Sequence, residues 1–102
     1  MEKRPVVALG MSWYSRENYD RVKALSDDPE VFPDTFDNWQ KLAQAGFDKF
    51  SAQGHLVIKA DIDPETFPQW CRDNGHRVDA KGRIAFANAC AAAAVQKKMQ
   101  TH

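Results

Sequence analysis

A period-two alternation of apolar and polar positions occurs at two places along the chain. In His55-Leu56-Val57-Ile58-Lys59-Ala60-Asp61-Ile62, the residues Leu56, Ile58, Ala60 and Ile62 share one face, and His55, Val57, Lys59 and Asp61 share the other. That is the pattern of a half-buried strand. Near the start, Val7, Leu9, Met11 and Trp13 alternate with Val6, Ala8, Gly10 and Ser12, which predicts a first strand over 6–13. Gly10 within it marks a kink or the close approach of another backbone.

Between and after these strands the period changes to that of a helix. Ser15 is a suitable N-cap, with Glu17 near the positive end of the helix dipole. Tyr19, Val22 and Leu25 then fall at three-residue spacing, and Asp27-Asp28-Pro29 ends the segment. From Asp27 to Asp37 there are five acids and no base, interrupted by Pro29 and Pro33, which predicts a loop. Val31 and Phe32 are its apolar residues and are expected to pin it to the core. Thr35 caps a second helix whose stripe is Phe36, Trp39, Ala43, Phe47 and Phe50, flanked by Leu42 and stopped at Gly54. Each ring fully buried there contributes on the order of 2–3 kcal/mol. On that reading Phe47→Ala costs roughly 3–5 kcal/mol.

After the central strand, Thr66-x-x-Gln69 forms a capping box for a third helix, with Pro68 in its first turn, Trp70 and Cys71 inward, and Asn74-Gly75 as its end. Asp79 caps the last helix, expected to reach about Lys98, with Gly82 in its first turn. From Ile84 to Val95 only Asn88 is polar, and the run Ala89-Cys90-Ala91-Ala92-Ala93-Ala94 has high helix propensity and little bulk. A helix apolar on every side has to be covered on most of them, by the sheet or by a second subunit. The segments Asp28-Pro29-Glu30-Val31-Phe32-Pro33 and Asp63-Pro64-Glu65-Thr66-Phe67-Pro68 match at five of six positions. Their flanks do not align, which favours convergent helix-start chemistry over duplication, and one recurrence is no repeat array.

The expected fold is therefore α+β, a single β-α-α-β-α-α domain over 1–102 with frayed ends at 1–5 and 99–102. Two helices between the strands favour an antiparallel pair. A two-stranded sheet is marginal in water and leaves two open edges. A homodimer, with a continuous four-stranded sheet or with the alanine-rich helices packed together, would resolve both difficulties.

Composition narrows the class without naming a reaction. The 102 residues are 43% hydrophobic and 27% charged, with 14 basic and 14 acidic side chains. A zero formal charge disfavours general attraction to duplex DNA or an anionic membrane surface. The first fifty residues hold seven Lys/Arg against nine Asp/Glu, and the remainder seven against five. The halves thus complement each other, or the second half carries a local basic site. The apolar run after Met1-Glu2-Lys3-Arg4 is too short for a signal peptide, and no window approaches a membrane span. Cys71 and Cys90 stand alone in apolar helical stretches, which points to reduced thiols and a cytoplasmic chain.

Two clusters carry candidate chemistry. Arg72, His76, Arg77, Lys81 and Arg83 surround the turn into the last helix, where a helix N-terminus and nearby cations favour a phosphate or carboxylate. A helix-turn-helix reading is weakened by the late start of that helix and by its alanine surface, which offers little beyond Asn88 for base edges. Ser12, Trp13, Tyr14, Ser15 and Arg16 lie at the carboxyl end of the first strand, where ligands gather in sheet proteins. No glycine-rich phosphate loop accompanies them. Their plainer role is an N-cap and two core aromatics. His55, His76 and His102 are scattered and neither cysteine has a partner at ligand spacing, so no metal or other cofactor is expected. His76 lies beyond a helix end from Cys71, which defines no nucleophile–base geometry. Asp61 and Asp63 leave the central strand on one side, but acids at strand ends and caps usually serve structure. The leading expectation is a small non-catalytic interaction or regulatory protein whose partner is a second copy or another protein. The alternatives are a nucleic-acid or anion-binding regulator using the basic turn, and a small enzyme with its pocket at the end of the first strand.

Overall fold

The fold is described by a computed structural model covering residues 8–100, with side chains over 8–97. It contains β1 (Ala8–Trp13), α1 (Arg16–Leu25), a 3₁₀ turn (Pro29–Val31), α2 (Phe36–Ala52), β2 (Leu56–Asp61), α3 (Phe67–Asp73) and α4 (Ala80–Gln100). The α+β class and the element order agree with the sequence pattern. Residues 1–5, 101 and 102, expected to fray, and Val6 and Val7, expected in the first strand, lie outside the described residues, and α4 runs two residues beyond the expected Lys98.

The two strands are parallel, not antiparallel, with Ala8 opposite Leu56 and Trp13 opposite Asp61. The reason lies in α1. It leaves β1 at the carboxyl end and stays there, packing on the 3₁₀ turn and on α2 rather than along the sheet. Only α2 makes a return pass. Its 17 residues span about 25 Å at 1.5 Å per residue, enough to carry the chain back past a six-residue strand. Counting helices overestimates the passes, and the unit is a single β–crossover–β.

The sheet is a thin middle layer. On one face, Gly10 lies directly under α4. A Cβ at Gly10 would stand 2.0 Å from the Ala87 carbonyl oxygen, so backbone meets backbone. The Ser12 hydroxyl donates to the Arg83 carbonyl at 3.3 Å on the same face. Small side chains allow this approach: Ala60, Ala87 and Ala91 are all buried. On the other face α2 supplies rings. Trp13 packs against Trp39 at 5.1 Å and Phe47 at 6.2 Å, and Lys59 extends its ammonium over both Trp13 and Phe47, at 4.3 and 4.7 Å. Among the described residues the sheet covers one side of the alanine-rich helix, and α3 packs on it through Phe67 and Trp70 against Phe86. The outward side of α4 leaves Ile84, Asn88, Ala89, Ala92 and Ala93 exposed.

Beyond the carboxyl ends of the strands an aromatic cluster forms the main core. Tyr14, Tyr19, Phe32 and Trp39 are buried there with Val22, Ile62, Phe67 and Cys71. The Tyr19 hydroxyl donates to the Pro33 carbonyl, which anchors the acidic loop. Phe32 pins that loop as expected, whereas Val31 does not: it is 59% exposed. Leu42 is likewise in water at 68% exposure.

Local signals at the helix ends are mostly obeyed. Asn18 N–H donates to Ser15 Oγ, Asn38 N–H to Thr35 Oγ1 and Gly82 N–H to the Asp79 carboxylate. Gly54 and Gly75 take positive φ at the ends of α2 and α3. The Thr66–Gln69 box does not form. Thr66 has helical backbone angles and caps nothing, while Asp63 accepts from the Glu65 N–H and Gln69 donates to Asp73. Pro68 removes one N–H of the first turn, and the earlier Asp63 turn takes over the entry. Phe47 is only half-buried, beneath Lys59. Phe47→Ala is therefore expected to cost about 1–2 kcal/mol in urea unfolding, less than full burial would imply.

Candidate functional site

The basic cluster predicted around the last turn divides into one buried cation and four surface side chains. Arg83 is 6% exposed. It grips Asp28 bidentately, Nη1 to Oδ1 at 2.9 Å and Nη2 to Oδ2 at 2.8 Å, and Nη1 also donates to Ser26 Oγ at 3.4 Å. Its guanidinium lies 4.6 Å from the centroid of the Phe32 ring. Such a fork matches carboxylate geometry bidentately, which the point charge of a lysine cannot, and its plane also suits an aromatic face. The hydrogen bonds from Arg83 hold the Asp28 carboxyl below its ordinary value, against the opposing effect of burial. Burial is the largest single effect and disfavours the Arg83 charge, but the Asp28 hydrogen bonds together with the nearby Tyr14, Asp28 and Asp79 groups outweigh it and raise the guanidinium further.

The same carboxylate also caps α4. Ala80 N–H donates to Asp28 Oδ2 at 2.9 Å, beside the Gly82 N–H bond to Asp79. The helix N-terminus that the sequence marks as an anion site thus holds two anions of its own chain. Neighbouring bonds strap the loop down: Asp27 N–H donates to the Val78 carbonyl at 2.7 Å, and Arg77 Nε reaches Asp27 at 3.3 Å.

The other four residues face outward. Arg72 donates to Gln69 at 2.7 Å, and His76 stacks nearly parallel on Trp70 at 5.8 Å. Arg77 and Lys81 are exposed. A shallow groove of about 560 Å³ runs over Asp28, Gly75, His76, Arg77, Asp79, Ala80 and Lys81. Asp28 and Asp79 at its floor set negative charge against the cations.

The residues at the end of β1 diverge rather than converge. Ser12 is bonded to the Arg83 carbonyl, Trp13 lies between the sheet and α2, and Ser15 is spent as a cap. Arg16 pairs with Asp37 at 2.7 Å and covers Phe36. Tyr14 is 5% exposed, and burial pushes its phenol up to about 12, with Arg83 partly offsetting. It lines a hollow with Val31, Phe32, Pro33, Trp39 and Arg83. Ser15 lines a separate groove with Glu17, Asn18, Asp61, Ile62 and Asp63.

Among the described residues no group of three or more His, Cys, Asp or Glu is placed to hold a metal ion. Burial raises both thiols, so Cys71 and Cys90 are protonated near neutral pH. Sequence reasoning missed Asp28 as the partner of Arg83. A signal existed in the acidic residue before Pro29, but nothing in it points fifty-five positions along the chain.

A further surface lies beside β1. A groove of about 470 Å³ is lined by Ala8, Asn88, Ala91, Ala92, Val95 and Gln96, with no residue of β2. It follows α4 and meets β1 at Ala8, the first described residue of the strand. In β1 no side chain is charged, whereas β2 carries Lys59 and Asp61. Charges on an edge strand oppose further pairing, and their absence leaves an edge receptive to it.

Among the described residues no helix is long and apolar enough to cross a membrane. No protein-family model, curated protein or solved structure matches this chain.

Proposed function

We propose that the chain is a non-catalytic interaction protein that works as a homodimer, joined through the open edge of β1 and the outward face of α4. One observation carries this reading: among the described residues β1 carries no charged side chain, and a groove that meets it at Ala8 is walled by Ala91, Ala92 and Val95 together with Asn88 and Gln96. Antiparallel pairing of two β1 strands about a two-fold axis would extend the sheet to four strands and set the two α4 helices side by side. Helix axes that close need small side chains between them, and Ala89, Ala92 and Ala93 stand outward. Ile84, 60% exposed on the same side, would gain cover.

The polar candidates support the same conclusion by their engagements. Arg83, Ser12, Ser15 and Arg16 are each committed to bonds inside the chain. The anion-binding alternative loses its central cation in this way and keeps only exposed Arg72, His76, Arg77 and Lys81.

Sedimentation at micromolar concentration tests the proposal. A dimer is expected, and Ala92→Glu should convert it to a folded monomer, because the carboxylates would meet across the axis. A wild-type chain that stays monomeric up to roughly 100 μM, about a hundred times weaker than a micromolar dimer, would defeat it.

A further inference from the structure

The hollow under the acidic loop differs from the surface grooves in its walls. Its volume is about 190 Å³, and four of its six lining residues are more than nine-tenths buried: Tyr14 at 5% exposure, Arg83 at 6%, Phe32 at 7% and Trp39 at 8%. Ring packing fixes those walls. Tyr14 lies 4.9 Å from Trp39 and 5.7 Å from Phe32, in edge-on and tilted arrangements. The remaining residues, Val31 and Pro33, come from the loop itself, and Val31 stands exposed at the rim.

We propose that this hollow binds a small, uncharged, single-ring aromatic compound, with phenol as its simplest probe. A single ring is small enough to enter, since an enclosed apolar cavity of about 150 Å³ accommodates benzene; this hollow is open to solvent, so its walls cover the guest on one side. Aromatic walls meet a guest ring edge-to-face, the arrangement that aromatic pairs favour. The guanidinium of Arg83 adds a polarising cation, but Asp28 already neutralises it bidentately. Asp28 lies outside the lining and occupies both guanidinium nitrogens, so the hollow offers a carboxylate no free donor pair, while an entering ammonium would meet Arg83, and the site therefore disfavours either charge. The exposure of Val31 also gains a reason, since it forms the mouth of the hollow instead of packing into the core. This site is separate from the β1 edge and does not depend on self-association.

Titration of the full chain with phenol, followed through the indole N–H resonances of its three tryptophans, tests the proposal. The Trp39 signal should shift saturably while that of Trp70 stays in place. Val31→Trp, a substitution at an exposed rim position that fills the mouth, should weaken binding at least about tenfold. Val31→Phe provides a second plug if that variant does not fold. Benzoate and benzylamine should each bind at least about tenfold more weakly than phenol. A Trp39 resonance that phenol does not move, equal shifts at all three indoles, binding unaffected by either rim substitution, or benzoate binding as tightly as phenol would each overturn it.

Discussion

Gly10→Ala is expected to leave most of the chain unfolded at 25 °C, with a loss above about 4 kcal/mol in urea denaturation followed by far-UV circular dichroism. A single added methyl has this effect because of what it meets. The new carbon would stand 2.0 Å from the Ala87 oxygen, 2.4 Å from its carbonyl carbon and 3.1 Å from its Cα. Backbone atoms on both sides cannot evade the clash by changing rotamer. β1 and α4 would have to part by more than an ångström, and a gap of that size forfeits at least a quarter to a half of the dispersion attraction between facing atoms. Gly46 provides the comparison. An added Cβ there meets the Met11 methyl at an ordinary 3.5 Å, and alanine inside a helix is favoured over glycine by about 0.5–1 kcal/mol. Gly46→Ala should therefore stabilise the chain slightly. Equal effects at the two positions would contradict the close approach of strand and helix.

Asp28→Ala is expected to cost about 3–5 kcal/mol, measured in the same way, because it strands a buried guanidinium and frees the Ala80 N–H. The neighbouring Asp27→Ala removes an ion pair whose arginine side chain is 80% exposed, and should cost no more than about 1 kcal/mol. Replacing both members of the buried pair, as in Asp28→Ala with Arg83→Met, should recover much of the loss. Acid provides an independent check. The folded Asp28 carboxyl titrates below its ordinary 3.8. Its contribution is therefore complete above the unfolded value and disappears as pH falls through the lower folded value. The wild-type chain should lose stability below about pH 4 more steeply than Asp28→Asn, which has no proton to gain there. Parallel acid curves would remove Asp28 from this role.

These two positions also show how far patterning reaches. Gly10 is readable as a site of close backbone approach, because an isolated glycine in a strand has few other uses. Ser15, Thr35 and Asp79 are legible as caps because cap and helix are neighbours in sequence. Strand direction is not legible. Tyr19 and Val22 show an apolar face, but pattern does not say whether that face lies on the sheet or on another helix, and the answer decides how many passes the chain makes. Proximity along the chain groups Arg83 with Arg77 and Lys81. Its actual partner, Asp28, sits in a loop whose acids look alike, and only the folded backbone distinguishes Asp28 from Asp27. The hollow at Tyr14 is foreshadowed only as two strand-end aromatics, since its other walls come from the loop, α2 and α4. The Thr66–Gln69 motif shows the opposite failure: the residues are suitable, but a turn three positions earlier has already set the backbone.

The seating of Ala87 on Gly10 places a demand on synthesis. The first strand is complete when residue 13 has been added, yet the surface that covers it belongs to the final fifth of the polypeptide. Until that stretch leaves the ribosome, one side of the nascent sheet has no cover. Closure then requires joining segments more than seventy positions apart, the kind of distant pairing that slows folding and prolongs exposure to aggregation. Chains truncated before Ile84 should accordingly be captured by chaperones or proteases, while the complete polypeptide escapes both.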